Sequence, residues 1–477
     1  MSFLWYDLET FGKDHLRSRI AQFAAQRTDG DLNPIGEPLV LHCRPADDLL
    51  PSPEATLVTG ITPQDALRDG LREAEFVNKM MAEFSVPHTC AVGFNSLRFD
   101  DEFVRVSAYR NFHDPYAREW KDRNSRWDLL DVLRLAHALR PDGIVWPRRR
   151  DGTTSFKLTD LTAANGIGHE HAHDALADVQ ATLGMARLLK RAHPRLFDYA
   201  LTLSDKRNVA RLLDTEGMSP ILHISSKFPA ARRHAALVAP ICQRPEVPNQ
   251  VIAFDLSADP QPLLDLDADD IADRLYTPAA DLPEGVARIP LKAIHLNKCP
   301  MLVELKTLRD PDIERLQLDR AMAQRRAQQL RDAPGLIEKV QKVFARPGDR
   351  QPADADAALF DRFIPNGDLA LFTRIRNAAP ADLPAFANKL KDSRLHELLF
   401  RYQARNWPES LDVAQRERWD AHRRQRLECD VGLSEYSFET YAAAIARLRV
   451  ERAGDGRAQA LLDQLDAWGR ELRTSLS

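Results

Sequence analysis

Four acidic residues and one histidine, all in the first part of the chain, are of the types that bind divalent metal ions and transfer protons. They are Asp7, Glu9, Asp100, Asp178 and His173. Carboxylate oxygens are the ligands that Mg²⁺ and Mn²⁺ prefer. Histidine has an unperturbed pKa of about 6.5, so it can accept a proton from water near neutral pH. Together these residues could hold two metal ions and a general base, which is sufficient to hydrolyse a phosphodiester bond.

The first two acids lie on a predicted strand. Residues 3–9 are apolar and aromatic apart from Asp7 and Glu9, which is typical of a buried strand. Side chains two positions apart on a strand share a face, so these carboxylates point the same way. Two like charges held close and partly out of water are unfavourable unless a cation lies between them. The alternative is a pair of solvated acids at a strand end, because such tripeptides are common.

The other three residues follow predicted element boundaries. Asp100 comes after a short apolar run, residues 90–94, and opens a probable helix, so helix capping is its alternative interpretation. Residues 174–191 have the apolar periodicity of an amphipathic helix. Asp178 lies in its first turn, and His173 lies just before that turn. Taken alone, a histidine beside a helix start is more often a solvated loop residue.

These motifs, in this order and over this span of sequence, resemble those of a known enzyme family. The runs DLE at 7–9, NSLRFD at 95–100 and HDALAD at 173–178 together resemble the histidine-containing branch of the DEDD superfamily of 3′→5′ exonucleases. The runs DLETFG (7–12), TGITP (59–63), NSRWDLLD (124–131), NKCP (297–300) and YQARN (402–406) resemble the bacterial exonuclease I family. The resemblance covers nearly the whole chain and departs at Arg148, Arg149 and Arg150 and near the C-terminus.

The resemblance implies an exodeoxyribonuclease that degrades single-stranded DNA in the 3′→5′ direction to 5′-mononucleotides, in DNA repair and recombination. It implies two Mg²⁺ ions, with Mn²⁺ as a possible substitute. Asp7, Glu9 and Asp178 would hold one ion and Asp7 the other. Asp100 would act through water or complete the ring of negative charge at the metal site, and His173 would be the general base.

Single-strand binding requires aromatic platforms and basic contacts to the backbone. The predicted substrate-binding residues are Glu9, Arg105, Tyr116, Trp120, Arg126, Lys157 and Arg405. By resemblance Lys157 contacts a phosphate, although the family more often has arginine there, and lysine lacks the bidentate fork. For the aromatic residues the alternative is core packing.

One protein partner is implied by the resemblance. Members of the family bind the acidic, apolar C-terminal tail of the single-stranded DNA-binding protein. Such a tail requires basic residues around an apolar pocket. The candidates are Arg140, Arg309 and Arg331.

Three domains are predicted from the pattern of elements. Residues 1–193 alternate strands and helices, an α/β pattern, and by resemblance have the ribonuclease H-like exonuclease fold. In this region the first three strands are expected to form a meander and the later ones to join in parallel. Residues 194–346 mix short strands and helices, including one predicted helix over 311–331, and the resemblance implies an SH3-like α+β domain with helical additions. Residues 353–477 are helical by periodicity.

Composition is consistent with this interpretation but would not by itself identify the family. The chain has 477 residues, a net charge of −4 and five cysteines without a Cys-x-x-Cys pair. There is no apolar run of the roughly 18 residues that span a bilayer, and the N-terminus does not resemble a signal peptide. We therefore expect a cytoplasmic protein with no membrane partner. We also expect a monomer, which these features do not test.

Two other functions remain open from the sequence. One is a DEDD exonuclease acting on RNA 3′ ends, and the other is a non-catalytic module that binds single strands or a replication partner.

Overall fold

The computed structural model describes residues 1–169, 174–345, 353–429 and 432–477. Its contacts divide the chain into two compact units. The first contains Met1–Ser125, His169–Leu183 and Arg350–Ser477, and the second contains Arg126–Gly168 and Gly184–Asp349. The boundaries of the three predicted domains stay predictions.

The strands in the described ranges are β1 Ser2–Thr10, β2 Ile20–Thr28, β3 Leu39–His42, β4 Thr89–Gly93, β5 Ser125–Asp128, β6 Ile221–Ile224, β7 Ala235–Gln243, β8 Gln250–Asp255, β9 Leu291–His295 and β10 Met301–Glu304.

The α-helices of the first half are α1 Pro53–Thr59, α2 Pro63–Asp69, α3 Glu73–Phe84, α4 Asp100–Arg110, α5 Leu129–Leu139, α6 Leu158–Ala164, α7 Ala175–Ala192, α8 Pro194–Thr202 and α9 Lys206–Leu212. The remaining ones are α10 Gln261–Asp265, α11 Ala268–Tyr276, α12 Asp310–Arg315, α13 Arg320–Arg331, α14 Leu336–Phe344, α15 Asn366–Arg376, α16 Ser393–Asn406, α17 Val413–Glu428, α18 Phe438–Glu451 and α19 Gly456–Thr474. Short 3₁₀ helices lie between them, at Ser96–Arg98, Ala117–Glu119, Lys121–Arg123, Ala230–Arg232, Ala279–Asp281, Leu305–Thr307, Ala358–Phe360, Pro380–Lys389 and Pro408–Ser410.

The sheet of the first unit is built around β1. This strand pairs antiparallel with β2 and parallel with β4, and β3 pairs antiparallel with β2. The first three strands therefore form the predicted meander. Leu4, Tyr6 and Leu8 point to one face of the sheet, where they join a buried cluster with α3 and α4. Because strand side chains alternate, Asp7 and Glu9 must point to the opposite face.

The C-terminal helices belong to the same unit. Leu395, Leu398 and Tyr402 of α16 pack with Val106 and Tyr109 of α4 in a second buried cluster. This face of α4 is thus covered by residues far along the chain. In the second unit, five antiparallel strands follow the order β10-β6-β7-β8-β9.

The predicted helix over residues 311–331 is wrong as a single element. The structure divides it into α12 and α13, separated by residues 316–319. Gln317 lies there with a φ of 52°. This left-handed conformation cannot continue a right-handed helix, although the apolar periodicity runs on through the break.

Buried ion pairs join α16 to an early loop of the same unit. The guanidinium of Arg405 donates to Asp48 at 2.8 Å and to Asp356 at 2.6 Å, and all three side chains are at most 3 % exposed. Burial opposes the ionisation of both carboxyls, yet Arg405 holds the pKa of Asp48 and of Asp356 below the ordinary range. Arg405 was predicted to contact DNA, but it is enclosed here, so we do not keep it among the DNA-binding candidates.

No helix in the described ranges is both long and apolar enough to cross a membrane. All five cysteines are free thiols.

Replacing Arg405 with alanine should destabilise the protein strongly, because two buried carboxylates lose their shared donor. Asp48 then keeps Arg426 at 3.6 Å, and Asp356 keeps Arg401 at 2.9 Å. We expect a loss of about 3–5 kcal/mol in the free energy of unfolding, measured by urea titration.

Arg470→Ala is the matched control, since Arg470 is 70 % exposed in its pair with Asp466 and should cost below about 1 kcal/mol. Equal losses in the two variants would contradict the structural role of Arg405.

Candidate active site

Three carboxylates converge in the first unit. Ligand oxygens of Asp7, Glu9 and Asp178 all lie within 4.8 Å of one another. The first two leave β1 on the face opposite its core contacts, and the third lies in the first turn of α7. Glu9 is buried, whereas Asp7 and Asp178 are half-buried. The spacing on the strand and the start of the amphipathic helix therefore bring together residues that are far apart in sequence.

The start of α7 is fixed beside β2 by hydrogen bonds. Gln22, which is opposite Glu9 in the sheet register, accepts the backbone N–H of Ala175 at 3.3 Å. The side chain of Asp174 accepts the N–H groups of Leu176 and Ala177 and so caps the helix. The backbone of the helix start is thereby held, and Asp178 lies one turn later on the same helix.

Burial and mutual repulsion disfavour the charged forms of these acids. Burial, with Asp178 and Asp100 nearby, raises the pKa of Glu9 from 4.5 to about 8. The pKa of Asp7 is raised well above its ordinary value, first by burial and then by Asp100, Asp178 and Glu9. Asp100 is buried at the first position of α4 and contributes to both shifts. The four carboxylates therefore form one electrostatic cluster, and its oxygen ligands fit a hard divalent cation.

Three histidines lie close together before α7, and two of them bear on the site. His173, the predicted general base, lies outside the described residues, so its role stays a prediction. His169 was not predicted: its side chain is 5 % exposed, and its Nε2 hydrogen-bonds an oxygen of Asp178. The sequence has histidines at 169, 171 and 173, and nothing in their spacing shows which of them reaches an acid.

The predicted substrate residues of the first unit occupy different environments. The guanidinium of Arg105 is buried, paired with Glu102 and with Glu119 at 2.6 Å, and lies 5.5 Å from the ring centre of Tyr116. Tyr116 is half-buried, and Trp120 is 67 % exposed. Trp120 therefore offers a free aromatic surface, while Arg105 supports Tyr116.

In the second unit, the two predicted substrate residues also differ in exposure. Lys157 is exposed immediately before α6. Arg126 is buried and donates to the carbonyl oxygen of Asn297 at 2.9 Å.

The predicted partner-binding residues also belong to the second unit, and two of them are neighbours. Arg140 and Arg309 both pair with the buried Asp312, each at 3.0 Å, and Arg315 pairs with the same carboxylate at 2.6 Å. Burial opposes the ionisation of Asp312, but these donors lower its pKa to about 2. Three arginines around one acid leave an excess of positive charge. The side chain of Arg331 instead donates to the carbonyl oxygen of Gly217 at 3.0 Å.

Comparison with known proteins matches all parts of the chain. The sequence model for an exonuclease domain matches residues 4–185, that for the exonuclease I SH3-like domain matches 204–346, and that for the exonuclease I C-terminal domain matches 353–472. Exodeoxyribonuclease I of Escherichia coli K12 is 46% identical over 472 residues, covering 99% of this chain and 98% of that protein. The chain belongs to the exodeoxyribonuclease I family.

Solved structures of the family agree with this assignment. Exonuclease I from Methylocaldum szegediense superposes with a TM-score of 0.94 at 45% identity, and 99% of each chain is covered. E. coli exonuclease I in complex with a dA16 oligonucleotide gives the same TM-score, identity and coverage. A further E. coli complex with single-stranded DNA has zinc bound. The predicted family, fold class and enzyme class, an exodeoxyribonuclease, are confirmed.

Removing metal should make the stability of the protein fall with rising pH. The folded state keeps a proton on Glu9 up to about pH 8, whereas the unfolded chain releases it near 4.5. The stability from this proton is complete below the lower value and is lost as pH rises toward the higher one. In chelator, the free energy of unfolding should therefore decrease between pH 5 and 8, and Mn²⁺ at pH 8 should restore it. Urea titrations at several pH values measure both effects.

Glu9→Gln is the matched variant for this measurement. Without metal at pH 8 it should be more stable than the parent protein by at least about 1 kcal/mol, with a shallower dependence on pH and a smaller gain from Mn²⁺. Identical pH profiles for the two proteins would show that Glu9 carries no repulsive charge.

Proposed function

We propose that this chain removes nucleotides from the 3′ end of single-stranded DNA and releases 5′-mononucleotides, using two divalent ions held by Asp7, Glu9, Asp100 and Asp178. The observation that carries this proposal is the convergence of three carboxylates within 4.8 Å in a chain of the exodeoxyribonuclease I family. Magnesium, with manganese as a substitute, suits the oxygen ligands. A role in DNA repair and recombination belongs to the same proposal.

The chemistry is divided between the ions and the protein. When bound, divalent ions stabilise the charge that develops on the phosphate and on the leaving 3′-oxygen. Asp7 and Glu9 hold their oxygens in place because β1 is a central strand, paired on both sides. Asp178 is positioned by the capped first turn of α7 and by His169. The burial of Glu9 and Asp100 reduces screening by water, so charges in the site interact strongly.

His173 would take the proton from the attacking water. It precedes Asp174, whose side chain caps α7, so the residue next to the proposed base is anchored. A neutral imidazole near its unperturbed pKa of about 6.5 is suited to this transfer at neutral pH.

For substrate binding we propose Trp120 and Tyr116 as stacking surfaces and Lys157 as a phosphate contact. Trp120 has the most accessible ring of this set. Arg105 would act by supporting Tyr116, because two glutamates already occupy its guanidinium. Arg126 would contribute to substrate binding from its buried position, where it donates to the carbonyl oxygen of Asn297. These assignments give the aromatic and basic mixture that single-strand binding requires.

We also propose that the acidic tail of the single-stranded DNA-binding protein binds at Arg140 and Arg309, with Arg331 as a further contact. The excess positive charge around Asp312 supports this proposal. The cytoplasmic location and the monomeric state stay predictions.

Asp7→Ala and Asp178→Ala should each abolish hydrolysis and leave the affinity for single-stranded DNA nearly unchanged, because they remove metal ligands. Oligonucleotides labelled at either end, incubated with Mg²⁺ or with chelator, report activity and direction. With 3′→5′ polarity, a 3′ label is released first as a mononucleotide, and a 5′ label remains on progressively shorter strands. Asp69→Ala is the control, since Asp69 is an exposed carboxylate on α2. Near-normal turnover in either ligand variant would refute the metal site.

The same assay distinguishes the alternatives left open by the sequence. Faster degradation of single-stranded RNA than of DNA would favour the RNA-end exonuclease. Binding without any metal-dependent release would favour the non-catalytic module.

His173→Ala should lower the rate by on the order of 10²–10⁴-fold, because the attacking water loses its base. Single-turnover rates at saturating enzyme measure this directly. His113→Ala is the control, since His113 bonds Asn78 on the surface of α3. A loss below about threefold would exclude His173 as the general base.

Replacing Arg140, Arg309 and Arg331 together with alanine should weaken binding of an acidic tail peptide by roughly tenfold or more, since each charged contact is worth about 0.5–1 kcal/mol or more. Calorimetry measures the affinity. Arg207→Ala, which removes an exposed charge on α9, should leave it unchanged. Unaltered affinity in the triple variant would exclude this surface.

A further inference from the structure

A cavity of about 530 Å³ lies in the second unit, beside a short hairpin. The hairpin is closed by a bridge between Arg148 and Thr154 and by a bond from the N–H of Ser155 to the carbonyl of Pro147 at 2.8 Å. Its arginine run is where the resemblance to the family departs. The other walls come from the C-terminal part of α5 and from the 3₁₀ helix Ala230–Arg232 with the residue that follows it.

Two arginines give the cavity its charge. Arg148 and Arg233 line it, and neither has a carboxylate partner in the part of the chain that the structure describes. Burial lowers the pKa of Arg233, and the nearby Arg315 and Arg148 lower it further. One acid, Asp151, also lines the cavity, and it stays charged because one of its oxygens accepts the N–H and the hydroxyl of Thr153, at 2.9 and 2.6 Å. Two cationic side chains thus line the cavity with one anionic side chain. The cavity is therefore suited to an anion.

A buried histidine, His137, also lines the cavity. Thr154 Oγ1 lies 3.0 Å and Arg233 Nη1 3.4 Å from Nε2 of His137. Because a guanidinium can only donate, Nε2 is the acceptor and the proton of the neutral ring lies on Nδ1. Burial, reinforced by Arg233, lowers the pKa of His137 to about 4, which agrees with a neutral ring. Nδ1 is buried and has no hydrogen-bond partner in the described ranges.

The backbone beneath Arg233 adopts an unusual conformation. Arg233 and His234 have φ values of 52° and 59°. Consecutive left-handed residues that are not glycine cost free energy and are concentrated at functional sites. Here the conformation brings the Arg233 guanidinium to 3.4 Å from the carbonyl oxygen of His137.

One wall of the cavity is aromatic. Trp146 is half-buried, and its indole N–H donates to the carbonyl of Pro141 at 2.8 Å. Its ring centre lies 5.0 Å from that of His137, in an edge-on arrangement. An anion site next to a partly accessible indole matches the two parts of a nucleotide, a phosphate and a flat base. An acidic peptide would use the arginines but has no need of the flat wall.

We propose that this cavity binds one nucleotide unit of single-stranded DNA, with its phosphate at Arg148 and Arg233 and its base against Trp146. The inference rests on the proposed function, because a chain that degrades single strands meets this ligand at every turnover. The proposed contact lies outside the catalytic carboxylates, and it depends on the arginine run of this chain.

The test uses the full-length protein and a fluorescein-labelled oligothymidylate in chelator, so that binding is measured without hydrolysis. Fluorescence anisotropy gives Kd over a series of salt concentrations. Each neutralised phosphate of a single strand contributes about 0.7 to the slope of log Kd against log salt. Arg148→Ala combined with Arg233→Ala should lower that slope by about 0.7 or more and weaken binding roughly tenfold.

Three further variants test the base contact and guard against misfolding. Trp146→Ala should weaken binding roughly tenfold through lost stacking, a change of about 1.4 kcal/mol, whereas Trp146→Phe should retain most of the affinity. Arg325→Ala, which removes an exposed charge on α13, should change neither Kd nor slope.

If the parent protein binds the oligonucleotide and the double arginine variant binds it with the same Kd and slope, this inference is wrong while the proposed function stands. If the parent protein does not bind the oligonucleotide at all, the proposed function itself fails. Thymidine monophosphate and an acidic peptide form the remaining arms. If the double variant loses affinity for either of these but not for the oligonucleotide, the cavity serves a free nucleotide or a protein tail and the inference is overturned.

Discussion

The repulsion between carboxylates on one strand is the constraint on which the rest of this molecule depends. The alternation of β1 buries Leu4, Tyr6 and Leu8 on one face and so forces Asp7 and Glu9 together on the other. A flexible loop would separate two such charges. A central strand paired on both sides cannot, so the folding free energy of the sheet holds the acids in place, and a bound cation or a proton must balance their charge.

The helix that completes this carboxylate cluster is held at its N-terminus by hydrogen bonds. An aspartate cap at Asp174 and a bond from Ala175 to Gln22 set where α7 begins. Gln22 is the cross-strand neighbour of Glu9, so the sheet register also determines where the helix starts. Each hydrogen bond contributes little energy alone, and together they place Asp178 beside the strand acids.

Much of this site could be predicted from sequence because its determinants are local. A continuous apolar and aromatic run identified β1, and helical periodicity identified α7. What depends on distant contacts could not be predicted. Arg405 has the basic and aromatic neighbours of a DNA contact, but its partners Asp48 and Asp356 are far away in sequence and enclose it. His169 has no local sequence feature that distinguishes it from the neighbouring histidines. At Gln317 the backbone leaves the helix although the apolar periodicity of the sequence continues.

The first unit is assembled from separated stretches of chain, Met1–Ser125, His169–Leu183 and Arg350–Ser477. Ribosomes deliver these stretches in order, and domains generally fold as they emerge. The apolar face of α4 that packs against α16 therefore lacks its packing partner until translation is nearly finished. A nascent or prematurely terminated polypeptide would expose that face and be open to chaperones and proteases, so the cell receives this degradative unit in finished form only after the last helices have been made.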